Sequence, residues 1–221
     1  PRMSNFIAQG KLDDFYRMIK KSFSFIFVVA TPVALFCMVA SKSMILFLAG
    51  AGYTSAIVPM QIISWTIIFI GLSNVTGMQV LVPTNREKYT TLSTAYGALV
   101  NLIVNALAIP RLGASGAAIG TVIAEFTVLV VQIYYLRTEL LQMLKGIQYS
   151  KIFIALIFAL MAVLTVEKIV SINGYFLNLC ITGMVYFGIY FVFLVLLREK
   201  FVCQYYIQYK DKIVQKLKKV R

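Results

Sequence analysis

The chain has 221 residues, 60% of them hydrophobic and only 13% charged, too few polar groups for a soluble domain of this size to present to water. A formal net charge of +13 would suggest nucleic acid as the partner of a soluble chain, but here the basic residues lie between and beyond apolar stretches, where they report membrane topology; no nucleic-acid partner is expected. Histidine is absent and Cys37, Cys180 and Cys203 are far apart, so neither a metal-ligand cluster, nor a cofactor, nor a Cys/His nucleophile is indicated.

Residues 1–22 set Lys11, Asp13, Asp14, Arg17, Lys20 and Lys21 among Leu12, Phe15, Met18 and Ile19 at helical spacing, which predicts an amphipathic cytoplasmic segment lying on the bilayer. A spanning helix needs roughly 20 apolar residues to cross about 30 Å of hydrocarbon. Six stretches within residues 23–197 meet that requirement: 23–41, 57–82, 91–109, 116–135, 152–169 and 175–197. Pro32 predicts a kink in the first, either a hinge or a static bend. The second is long enough to tilt or to include an interfacial turn, and its Gly71, Ser73, Asn74, Thr76 and Gly77 suggest packing on more than one side.

The third and fourth spans meet in the most informative stretch of the chain. Asn101 and Asn105 share one helix face, and Pro110 with Gly113 is expected to stop that helix. The next helix opens small, with Gly116 and Gly120 at the spacing that lets two membrane helices touch backbone to backbone. Glu125 follows inside apolar sequence, where a carboxylate is costly unless it faces protein or water. At the far end, residues 198–221 place Val202, Tyr206, Tyr209, Ile213, Leu217 and Val220 at three- and four-residue spacing among lysines, predicting a basic amphipathic cytoplasmic tail suited to an anionic leaflet.

If both ends are cytoplasmic, all but three of the 21 Lys and Arg fall in inside segments, the exceptions being Lys42, Arg111 and Lys168. That bias satisfies the positive-inside rule and supports six spans with the lipid bilayer as the surrounding partner. Of the eight acids, only Glu125 and Glu167 fall outside predicted cytoplasmic segments, and Glu167 adjoins Lys168 at a helix end, so no paired carboxylates are available for catalysis and an enzyme is not expected. For transport the requirement is a polar path. Asn101, Asn105 and Glu125 are its candidates, with Arg111, Lys42 and Lys168 as cations at its outer mouth. The plainer alternatives stay open: Asn101 and Asn105 as interhelical hydrogen-bond glue, Arg111 as an interfacial turn residue, and Glu125 as a neutral, hydrogen-bonded packing group.

Several motifs stand in order along the chain: Pro1-Arg2-x-Ser4, the Gly50-x-Gly52-Tyr53 loop, Pro83-Thr84-Asn85-Arg86-x-Lys88, Asn101-x-x-x-Asn105, Ile109-Pro-Arg-Leu-Gly113 and Gly116-Ala-Ala-Ile-Gly120-Thr-Val with Glu125. As a set they resemble the second half of bacterial polysaccharide and O-antigen repeat-unit flippases, in the multidrug/oligosaccharidyl-lipid/polysaccharide exporter superfamily. The resemblance implies an all-α polytopic membrane protein whose six transmembrane helices form one bundle of a MATE-like two-bundle transporter working by alternating access. A chain that opens on Pro1, at a motif lying mid-chain in that family, is expected to be about the C-terminal half of a longer protein, whose N-terminal bundle would be a partner. The implied substrate is an oligosaccharide repeat unit linked to an undecaprenyl-type diphosphate, moved across the bacterial inner membrane for surface polysaccharide, with polysaccharide polymerase machinery as a further partner. Asn and Glu suit sugar hydroxyls, and Arg and Lys suit a diphosphate. The alternatives are an ion-coupled multidrug exporter of the same fold, or a non-transport scaffold of a polysaccharide assembly complex.

Overall fold

Apolar length dictates the architecture, because a backbone in hydrocarbon must satisfy its own hydrogen bonds and a helix does so within one segment. A computed structural model of the chain describes residues 2–169 and 174–203, and among these there is no strand. Six helices are long and apolar enough to cross a membrane: Leu12–Val39, Ala51–Leu81, Glu87–Leu112, Ala114–Leu144, Tyr149–Ile169 and Tyr175–Leu196. Each overlaps one of the six predicted stretches, three of which run one or two residues past the end of the helix. The protein is an all-α, multi-pass membrane protein.

In chain order, α1 is Arg2–Ala8. α2 is Leu12–Val39, α3 is Ser41–Leu48, and α4 is Ala51–Leu81. α5 is Glu87–Leu112, α6 is Ala114–Leu144, α7 is Tyr149–Ile169, and α8 is Tyr175–Leu196. The chain divides into two units, residues 1–147 with 173–179, and residues 148–172 with 180–221.

In the first unit, α2 begins a full three turns before the predicted span. Helix continues without a break through residue 22, because Phe15, Ile19 and Phe23 bury completely in a cluster with Val75, Val80, Leu81, Leu136 and Met143. Phe15 and Ile19 of the apolar stripe therefore meet protein from α4 and α6, while Leu12 stays exposed. Periodicity shows that a stripe exists but not whether lipid or protein covers it. Pro32 sits at the end of a π-helical turn, Ile26–Ala30, in which the Thr31 N–H reaches back to the Ile26 carbonyl. The wider turn accommodates a proline that lacks a donor and crowds the preceding carbonyls. α4 is a composite, opening as a 3-10 turn over Ala51–Ala56 and ending as a π segment over Val75–Leu81. It buries Ser73, Val75, Thr76, Gly77, Val80 and Leu81 at its end and nothing over Ile57–Ile63.

α5 and α6 form a tight antiparallel hairpin. Pro110 does not stop α5; the helix runs through it to Leu112, because a proline this near the end removes one donor from the last turn only. The stop is Gly113, whose φ of 54° and ψ of −127° turn the chain directly into α6 and suit glycine alone. In the second unit, Ile152, Ala155, Leu156, Ala159 and Val163 of α7 and Thr182, Tyr186, Tyr190 and Leu194 of α8 are buried at helical spacing. Phe158 stacks on Phe193 at 4.3 Å, and the Lys151 ammonium donates to the Arg198 carbonyl at 3.1 Å. Glu199 accepts from the Val202 N–H at 2.9 Å as the chain enters its tail. From residue 204 onward, the predicted amphipathic tail lies outside the described residues.

Candidate functional site

The α5–α6 hairpin carries the candidate residues, and its contacts read like a ladder. Nearest the turn, a Cβ on Gly116 would fall 2.5 Å from the Ala108 carbonyl carbon and oxygen, so the two backbones touch there. One turn on, a Cβ on Gly120 would land on Asn105 Oδ1, so that oxygen lies over the glycine's Cα hydrogens in a weak C–H···O contact. Next, a Cβ on Gly97 would meet Val128 Cγ2 at 2.5 Å and the Ala124 carbonyl at 3.2 Å. Gly116, Gly120 and Ala124, spaced four apart on α6, thus let α5 approach closely.

Asn105 also donates from Nδ2 to Asn101 Oδ1 at 2.9 Å, while its own buried Oδ1 accepts no conventional hydrogen bond. Asn101, Asn105 and Gly120 are therefore brought together, and the first work of Asn105 is packing. Glu125 stands apart from them. Five residues beyond Gly120, it is rotated by about 140° around α6 at 3.6 residues per turn. It is half-buried and makes no hydrogen bond or ion pair among the described residues. Its neighbour Phe126 packs on Phe69 at 5.3 Å, and Phe69 on Trp65 at 6.3 Å, which places an aromatic row from α4 beside the carboxylate's turn of helix.

Two turns past Glu125, on nearly the same face of α6, Gln132 is 2% exposed and joins three helices. Its Oε1 accepts from the Thr76 hydroxyl of the α4 π segment, and its Nε2 donates to Ser93 Oγ of α5 at 3.1 Å. Ser93 Oγ in turn donates to the Thr90 carbonyl at 2.7 Å. Gly77 makes room, since a Cβ there would lie 3.0 Å from Gln132 Nε2. A second polar link holds α2 to α4, from Ser22 Oγ to Gln79 Oε1 at 2.6 Å. Sequence reasoning missed both links; the available signal was a lone glutamine deep in an apolar span, which needs a partner as surely as a carboxylate does.

The open end of the hairpin is large and charged. Tyr89 and Tyr135 stack face to face at 3.9 Å, and Arg86 donates to Glu139 at 2.7 Å while its Nε reaches Thr84 at 3.0 Å. Asn85, with φ of 58°, ends the loop that aims Arg86 across, and the Arg86 N–H closes the end of α4 on the Leu81 carbonyl at 2.8 Å.

The three cations expected at an outer mouth are all exposed, with no ion pair among the described residues. Lys42 opens α3 and Arg111 ends α5 in the first unit; Lys168 ends α7 in the second, next to exposed Glu167.

No protein-family model matches the chain, and no solved structure matches it. Over 172 residues, 78% of the chain, it is 31% identical to a protein of Methanocaldococcus jannaschii described as an uncharacterized membrane protein. The match covers 33% of that relative, so the chain spans about a third of the length of the relative it matches.

Proposed function

We propose that the protein is a transporter rather than an enzyme, and specifically a flippase that carries lipid-linked oligosaccharide repeat units across a bacterial cytoplasmic membrane by alternating access. The observation that carries the reading is Glu125, a half-buried carboxyl group in an apolar spanning helix with no protein partner among the described residues. A carboxyl group held at that depth without a partner is one that a substrate, an ion or water can use. Asn101, still half-buried beside Asn105, adds an amide edge that suits sugar hydroxyls. The resemblance of the ordered motifs described above supports this substrate class and a second bundle opposite this one, in a molecule of MATE-like architecture. The cytoplasmic placement of both ends follows from the basic-residue bias.

The experiment is deletion of the encoding gene in its native host, with lipid-linked oligosaccharides measured by mass spectrometry and surface polymer measured alongside. Complete repeat units should accumulate while surface polymer is lost; normal levels of both would refute the flippase reading. One observation favours a second reading. The Trp65–Phe69–Phe126 row beside a lone carboxylate suits a flat organic cation, so ion-coupled drug export is the alternative. Drug hypersensitivity of the deletion strain with normal glycans would select it.

A further inference from the structure

At the open end of the hairpin, five side chains from α5 and α6 touch in an unbroken row. The Lys88 ammonium lies 5.0 Å over the Tyr89 ring, Tyr89 stacks on Tyr135 at 3.9 Å, Tyr135 meets Tyr134 edge-on at 5.5 Å, and the Arg137 guanidinium lies 4.8 Å over Tyr134. The row is three rings with a cation at each end. Its polar groups are uncommitted: among the described residues none of the three phenol hydroxyls makes a hydrogen bond, and neither Lys88 nor Arg137 has a carboxylate partner. Glu139, two residues from Arg137, is held by Arg86. Lys88, Tyr134 and Arg137 are exposed.

We infer that this row is a capture site for the phosphorylated saccharide headgroup of a lipid, engaged at the membrane surface before translocation. Ring faces stack on the apolar faces of sugars, free phenol hydroxyls exchange hydrogen bonds with sugar hydroxyls, and cations at the ends bind phosphate. A bulk phospholipid needs one cation and no platform, whereas a saccharide on a diphosphate uses both parts of the row. The basic-residue bias assigns this end of the hairpin to the cytoplasm, the side on which a substrate awaiting export is presented. The inference rests on the flippase reading for its substrate class, and it separates loading, at the surface, from translocation past Glu125.

The test is binding to the full-length protein in lipid nanodiscs by native mass spectrometry. Three probes are compared: a prenyl diphosphate carrying one hexose, the same prenyl diphosphate without sugar, and phosphatidylglycerol. The double substitution Lys88→Gln with Arg137→Gln is expected to weaken both diphosphates about tenfold or more, the loss of a charge-assisted bond. Tyr134→Leu should weaken the hexose-bearing probe about threefold relative to the bare diphosphate, Arg137→Lys should retain most of the affinity, and Lys145→Gln, an exposed cation past the end of α6 and outside the row, should change nothing. Unchanged binding in the double variant would overturn the inference, as would an equal loss for phosphatidylglycerol, which would mark a surface for bulk anionic lipid. Failure here with repeat units still accumulating in the deletion strain would remove the capture site and leave the flippase standing.

Discussion

The two ends of the α5–α6 hairpin hold the same pair of helices together by opposite means. Near the turn, Ala108 against Gly116 and Gly97 against Ala124 bring backbones close, and the Asn105 amide lies directly on Gly120, so cohesion there is close van der Waals packing against glycine. At the open end the contacts are side chains: the Ser93–Gln132–Thr76 chain, the Tyr89–Tyr135 stack and the Arg86–Glu139 pair. The lesson is where change is tolerated. Backbone contact cannot yield to an added carbon, whereas side-chain contact can rearrange.

The comparison is broken most severely at the turn. Gly116→Leu puts its Cβ on the Ala108 backbone, which can move only with the helix, so a loss of about 3 kcal/mol or failure to fold is expected, read as reduced yield and a lower unfolding temperature in detergent. Gly120→Ala probes the same end more gently, since what it meets is the Asn105 side chain; its cost should be smaller than that of Gly116→Ala, and equal costs would contradict the backbone argument. Midway, Gln132→Leu strands the buried Ser93 and Thr76 hydroxyls with only their local carbonyls, at an expected cost of about 1–2 kcal/mol by the same unfolding measurement. The effect at the open end should be smallest. Arg86 and Glu139 are both partly exposed, so a double-mutant cycle should give a coupling of about 0.5–1 kcal/mol that shrinks at high salt. A coupling of several kcal/mol would mean that the two ends are held alike.

How much of this was legible in sequence follows from which forces are local. The six spans are, because hydrophobic length is a property of each segment alone. So was the small-residue contact at Gly116 and Gly120, since four-residue spacing of glycine has few other uses in an apolar helix. Partners were not legible. Leu12–Phe25 carries an amphipathic stripe that sequence assigns to the bilayer surface, yet Phe15 and Ile19 are buried against residues some 60 to 130 positions away in the chain. The π turns at Ile26–Ala30 and Val75–Leu81 left no signal beyond Pro32 in the first. Pro110 looked like a stop and is not one, because its position relative to the true end at Gly113 decides its effect. Among the candidate residues, Asn105 lies on Gly120 of α6, whereas Glu125, rotated around α6 from that contact, makes no hydrogen bond or ion pair among the described residues.

Stability and function should separate at Glu125. Because it has no hydrogen-bond or ion-pair partner to lose among the described residues, Glu125→Gln is expected to change stability by less than about 0.5 kcal/mol. The most direct test is translocation in proteoliposomes of the full-length protein, with a fluorescent prenyl-diphosphate saccharide whose arrival in the other leaflet is read by an impermeant quencher. The wild-type protein should move the lipid well above the rate in empty liposomes, and Glu125→Gln, equally folded, should fall to that background. A wild-type rate no faster than empty liposomes, or a Glu125→Gln rate equal to wild type, would contradict the account.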